Sequence, residues 1–282
     1  MVDIVFQTQY RDEFIHGFEQ QKSLLRETVT TEAVIKGNQA VFLVADSGSA
    51  EATVRGNNGL IPARSDNQTQ NTALLTEQHD LVRKTGFNIF ASQGDQRRIM
   101  QETTMAVINR KTDNQITTVL DTGTTTDGSS TTLPSVDLYQ SAKVKLGNAS
   151  IPWDSNITLL CQPSFLAYLE QAPEFASADY VNMRAYAGDD PSWRDAPMAY
   201  RWNNSLIVAH PNLLGKGTSS EKNYLYHKSA IGHAADTSGM QILAGYDEEQ
   251  DYSYSRCSWY MGAVLLQNSG VIVITTDGSA YA

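Results

Sequence analysis

Residues 95–120 read DQRRIMQETTMAVINRKTDNQITTVL and carry the strongest helical pattern in the chain. Ile99, Met100, Met105, Val107, Ile108, Ile116, Val119 and Leu120 recur at intervals near three and four, an imperfect apolar stripe that predicts a helix. At 1.5 Å per residue it would be about 35–40 Å long. Gln96, Arg97, Arg98, Gln101, Glu102, Arg110, Lys111 and Asp113 fill the rest of its surface. Thr122 to Thr132, rich in Thr, Gly and Ser, ends the helix as a loop and marks the clearest internal boundary.

Upstream of the helix, from Ala33 to about Phe90, the texture is that of strands. Ala40-Val41-Phe42-Leu43-Val44 and Ala52-Thr53-Val54 flank the turn Asp46-Ser47-Gly48-Ser49, and Gly56-Asn57-Asn58-Gly59 marks a second turn. This predicts a long hairpin with an irregular polar return through Ser65 to Thr72. A two-stranded hairpin with so little to bury is marginal alone, so it calls for a covering partner. Residues 1–32 form an N-terminal arm in which Tyr10, Phe14 and Phe18 stand four apart, a short amphipathic stripe.

Downstream the pattern alternates. Pro134 and Gly147 bracket a helix bearing Val136, Tyr139, Ala142 and Leu146. Ile157 to Cys161 and Ser205 to Ala209 are mostly apolar stretches that read as buried strands, and Pro163 opens a short helix between them. A strand near Tyr224 to Tyr226 leads into a short helical piece at Lys228 to Ala235. Ser258 to Val264 and Val271 to Thr275 read as two strands joined by the turn Asn268-Ser269-Gly270. The fold class is α+β, without the regular alternation of a doubly wound sheet or an eight-fold barrel.

The 282 residues carry a net charge of −10, with 21 basic and 31 acidic side chains. No basic cluster exists to grip phosphates, which argues against a nucleic-acid-binding protein as such. No apolar run reaches the ~18 residues a membrane span needs, so no membrane partner is expected. Met1 to Gln7 lacks a basic start followed by an apolar stretch, so export through a secretory signal is not expected. Cys161 and Cys257 make no disulfide framework and read as buried thiols.

Catalytic signals are sparse. Val119-Leu120-Asp121-Thr122-Gly123-Thr124 resembles the active-site turn of aspartic proteases, and Asp46-Ser47-Gly48-Ser49 repeats it. Brought together, Asp46 and Asp121 would share a proton as an aspartic-type hydrolase dyad. The long helix between them, and the frequency of such turns in a Thr-, Ser- and Gly-rich chain, weigh against that alternative. His16, His79, His210, His227 and His233 never fall in metal-ligand spacing, and the acidic run Asp247 to Asp251 lacks the pattern of a calcium loop. Gly215-Lys216-Gly217-Thr218 lacks the spacing of a phosphate loop. No metal, cofactor or catalytic residue is assigned.

Arm, polar hairpin, long helix, α/β middle and closing strands follow in an order that resembles the major capsid proteins of tailed bacteriophages, the Hong Kong 97-like fold. Tyr226-His227-Lys228-Ser229-Ala230-Ile231-Gly232 is similar to a segment of several podovirus-type capsid proteins. Trp259 to Leu265, followed by Ser269 to Ile274, resembles closing strands of the same family. The resemblance implies an arm over residues 1–32, an extended hairpin loop over 33–90, a spine helix and peripheral domain over 91–132, an axial domain over 133–250 and closing peripheral strands over 251–282. It further implies a structural subunit without catalysis, self-assembling as hexamers and pentamers into an icosahedral head shell around double-stranded DNA, without sequence-specific binding. Expected partners are other copies of the chain, a separate scaffolding protein, a portal and a decoration protein, with assembly in the host cytoplasm and residence in the virion. Phe42, Val44, Val54, Leu60 and Ile61 are the expected inter-subunit contacts in the hairpin.

Overall fold

The computed structural model describes residues 22–32, 37–48, 50–59, 61–91, 96–176, 199–236 and 241–281. The aromatic stripe Tyr10/Phe14/Phe18 therefore lies outside the described residues. Along the chain run β1 (Thr30–Glu32), β2 (Gln39–Asp46), β3 (Asn67–Leu74), β4 (Thr76–Thr85), α1 (Gly86–Ala91) and α2 (Gln96–Leu120). β5 (Thr125–Gly128), α3 (Val136–Asn148), β6 (Ile157–Cys161), α4 (Pro163–Gln171), α5 (Pro173–Ala176), β7 (Ala199–Trp202) and β8 (Ser205–Ala209) follow. β9 (Glu221–His227), β10 (Ile231–Ala235), β11 (Gln241–Asp247), β12 (Tyr252–Leu265) and β13 (Val271–Thr276) complete the set.

The strands form two main sheets and a hairpin. A six-stranded sheet has the order β5-β13-β9-β6-β8-β7. One face packs under α3 and α4 through Tyr139, Leu146, Leu159, Phe165, Leu225 and Ile272. The other face meets the end of α2 and the N-terminal segment through Leu25, Ile116, Leu120, Leu160, Val208 and Tyr226. Coverage on both faces is why Ile157–Cys161, Ser205–Ala209 and Val271–Ile274 are predominantly apolar without a polar alternation. The second sheet is built on the 14-residue β12, which pairs with β4 along one side and with β11 and then β10 along the other, with β1 outermost on β10. α2 packs on it through Ile108 against Ala235, Cys257, Trp259 and Met261.

α2 thus spans both sheets, which explains its broken stripe. Several of its buried positions are threonines, and Thr112 and Thr117 satisfy their hydroxyls on the carbonyls of Ile108 and Asp113 one turn back, at 3.0 and 2.9 Å. Asp113 does not lie on the solvent face; it is fully buried between the sheets.

Several expectations are corrected. β2 pairs with β3, from Gln39–Leu74 to Asp46–Asn67, whereas Ala52–Val54 forms no strand. The return at 67–72 is regular despite its polarity, because a backbone ladder needs no apolar side chains when both faces are exposed. β4 alternates half-buried Gln78, Asp80, Val82 and Lys84 with exposed partners, a pattern that hydropathy conceals. The loop after α2 contains β5. Gly147 does not stop α3, which runs to Asn148; the ring of Trp153 occupies the space where a Cβ on Gly147 would stand, at 2.8 Å. Only Lys228–Ala230 is helical in the segment 228–235, and the rest is β10. The strands around Asn268–Gly270 are not a pair, since β12 and β13 belong to different sheets. Residues 133–250 and 251–282 therefore each contribute to both sheets.

Candidate functional site

The hairpin β2–β3 has an anchored root and a free end. At the root Ala40, Phe42 and Ala73 pack with Ala234, against Leu75, Val264 and Leu266. The Phe42 ring lies on Gly232 so closely that a Cβ there would meet it at 3.0 Å. Asn71 adds a side-chain N–H to the Leu266 carbonyl at 3.3 Å. The outward face of β2 is open, with Val41 46% and Leu43 80% exposed, and past the ladder Val54 is 91% and Ile61 65% exposed. Among the expected contacts, Val54 and Ile61 are free, Val44 is half-buried, and Leu60 lies outside the described residues. Phe42 is only 7% exposed and is occupied within its own subunit. The alternation of β2 points Ala40 and Phe42 inward, leaving Leu43 as the outward residue that sequence reasoning missed.

A covered Leu contributes about 1.5–3 kcal/mol relative to an exposed one.

Tyr226 to Gly232 is where the chain leaves the six-stranded sheet for the second one. His227 sits at the corner, its Nδ1 2.7 Å from the Ser229 hydroxyl and its Nε2 3.0 Å from Asp154. Ser229 N–H also reaches Nδ1 at 3.3 Å, and Lys228 N–H donates to the Asn156 carbonyl at 3.0 Å. Beside it, Leu266 and Gln267 N–H donate to the Ala230 carbonyl, so the return crossing from β12 to β13 is tied to the outward one.

The third junction is a buried carboxylate. Asp113 accepts from the Ser23 hydroxyl at 2.5 Å and from Leu24 and Leu25 N–H at 3.2 and 3.3 Å. His210 Nε2 lies 3.2 Å from its other side. Asn212 N–H donates to His210 Nδ1, so Nε2 carries the proton and donates to Asp113. Thr28 and Tyr226 share a hydroxyl contact of 2.5 Å, and burial pushes the Tyr226 phenol up. The sequence signal for Asp113 was its spacing: it precedes Ile116 and Leu120 by three and seven, so it falls on the apolar stripe.

The hydrolase residues stay apart. Asp46, at the free end of β2, accepts from Gly48 N–H and Asn67, a local turn. Asp121 closes α2 and accepts from the Tyr224 hydroxyl at 3.3 Å. Gly123 N–H returns to the Leu120 carbonyl, so the Asp-Thr-Gly sequence is the end of a helix. At Gly215 to Thr218, the Gly217 N–H is taken by the chain's own Glu221 carboxylate at 2.9 Å, which leaves no phosphate cradle. Asp247 accepts from the N–H groups of Glu249 and Gln250 in an exposed turn. Burial raises the Cys161 thiol, which makes it unreactive. Among the described residues no group of three His, Cys, Asp or Glu is placed to hold a metal, and no helix is long and apolar enough to cross a membrane.

Comparison with solved structures returns chains of phage structures, several of them capsids, that match over nearly the whole length. A chain of Mycobacterium phage Che8 matches at TM-score 0.73 and 16% identity, covering 97% of this chain and 98% of that one. The capsid of Ralstonia phage GP4 matches at 0.75 and 11%, with 98% and 96% covered. That of cyanophage Pam1 matches at 0.72 and 9%, with 99% and 98% covered. At these identities the likeness is one of fold, α+β as expected and consistent with the Hong Kong 97-like architecture. No curated protein matches the chain. The family model described as phage capsid protein matches residues 2–277. The chain belongs to the phage capsid protein family, and it is a structural protein of the virion that assembles with itself into the head shell.

Proposed function

We propose that this subunit forms the hexamers and pentamers of an icosahedral shell that encloses double-stranded DNA, and that it performs no catalysis. The observation that carries this reading is the hairpin: its root is fixed within the subunit, while Leu43 on the ladder and Val54 and Ile61 in the segment beyond it extend apolar surface to solvent. A second copy of the chain supplies the missing cover. In this reading the six-stranded sheet with α3 and α4 is the axial unit, and the sheet centred on β12 with the N-terminal half of α2 is the peripheral unit.

The net charge of −10 suits a wall that contains DNA without adhering to it. A separate scaffolding protein, a portal and a decoration protein complete the proposed partner set, with assembly in the host cytoplasm. Light scattering and negative-stain electron microscopy of the purified protein, with and without a co-expressed scaffold candidate, test the reading. Rings, sheets or shells are expected; a monomer under every condition would overturn it. An Asp121→Asn variant that loses a peptidase activity while still assembling would reinstate the hydrolase.

A further inference from the structure

His233 is the one buried histidine that the contacts above leave unexplained. It sits on β10, fully buried, and neither ring nitrogen has a hydrogen-bond partner among the described residues. Its neighbours in register are Thr31 of β1 and Ala263 of β12. A neutral imidazole ordinarily offers one donor and one acceptor, and leaving both unmet in a closed site costs free energy.

The N-terminal segment runs beside this position, with Thr31 in register with His233. Residues 23–32 form a strap: Ser23, Leu24 and Leu25 are clasped by Asp113, Leu25 enters the core, Thr28 meets Tyr226, and β1 lies alongside β10. The Arg26 guanidinium lies 5.2 Å from the centre of the Trp259 ring. Two charged groups act on the imidazole: Arg26 from the strap and Asp113 from α2. Two residues along β10, Ala235 packs with Ile108 of α2 and with Cys257, Trp259 and Met261 of β12.

We infer that residues 23–32 are a proton-sensitive strap, which lies closed over His233 while the imidazole is neutral and opens when His233 takes up a proton. Protonating His233 in the closed state would place a cation with no acceptor inside the protein, beside the cation of Arg26. Lifting the strap admits water and moves Arg26 away. The direction of the titration agrees. Burial first, and then Arg26, hold His233 down at about 4 in the closed state, with Asp113 opposing. A solvated histidine titrates near 6.5. The open strap therefore binds the extra proton between these two values, so the closed form loses ground as pH falls from about 6.5 towards 4 and is insensitive to pH above that window.

The strap ties the spine helix and both sheets together, so its release would loosen the subunit where the two sheets meet. The inference concerns the subunit itself and stands apart from the proposed shell geometry.

Hydrogen–deuterium exchange on the full chain, in whichever assembly state it is purified, tests this. Protection factors, corrected for intrinsic exchange, would be compared at pH 7.5 and 5.0. Residues 23–32 are expected to lose protection by roughly 30-fold, the ratio set by titration near 4 when closed and 6.5 when open. The β6 segment, 157–161, serves as an internal control and should hold. His233→Leu removes the titration and should abolish the difference while keeping the strap closed. Should that variant fail to fold, the wild-type comparison decides alone. Equal strap protection at both pH values, or the same loss in strap and control, would overturn the inference, as would a pH effect unchanged in His233→Leu.

Discussion

The six-stranded sheet and the β2–β3 hairpin lie at opposite ends of one physical scale. Every residue of β6 and β8 is buried, and the six-stranded sheet has packing on both faces from its own chain. The hairpin has one small cluster at its root and open surface beyond it. The first region is completed by intramolecular contacts and fixes the subunit's shape. In the proposed reading the second is completed by another molecule, and assembly draws its energy there. A shell subunit needs both: a body stable before assembly, and a limb whose burial is deferred until a neighbour arrives.

That contrast can be broken by substitutions that should act on subunit stability in a descending series. Leu159→Ala empties a fully buried site at the centre of β6, and chemical denaturation should register a loss of about 4 kcal/mol. Asp113→Ala leaves His210 and three donors without their acceptor, and the expected loss is about 3 kcal/mol, with the strap the first segment to gain exchange. Phe42→Ala removes the anchor over Gly232; about 2 kcal/mol should be lost, read as exchange confined to the hairpin root. Leu43→Ser, at an 80%-exposed position, should leave the denaturation midpoint within about 0.5 kcal/mol of wild type, yet lower the yield of assembled particles in sedimentation. A large stability loss at Leu43, or unimpaired assembly, would erase the distinction between body and limb.

The same contrast explains what was legible. β6, β8 and β13 are visible in the sequence because burial on two faces demands apolar residues at most positions, broken here only by small hydroxyl side chains such as Thr158 and Ser205. α2 is visible through its spacing, although its buried threonines blur the stripe. β3, β4 and β5 are not visible, since an exposed or one-sided ladder is held by backbone groups that every residue carries. β2 was legible as a strand from its apolar run, Ala40 to Ala45, but which face turned inward depended on Gly232, nearly two hundred positions away.

Polar sites were the hardest to read. Asp113 meets His210 across 97 residues and Ser23 across 90, so no local pattern marks the cluster, and His233 becomes distinctive only when its lack of partners can be seen. The Asp-Thr-Gly turn erred the other way: a motif with a chemical meaning in one fold is a helix terminus in this one.

The most direct test of the division between body and limb exploits the hairpin's own register. Asp46 and Asn67 are the closing pair of the ladder, so residues 47–66 can be replaced by Asn-Gly, a two-residue turn suited to antiparallel strands. The shortened protein would be followed by sedimentation velocity and circular dichroism under conditions where the wild type forms rings or shells. Folded subunits with an unchanged melting transition and no assembly are expected. Shells formed as readily as by the wild type, or a chain that no longer folds, would contradict the account.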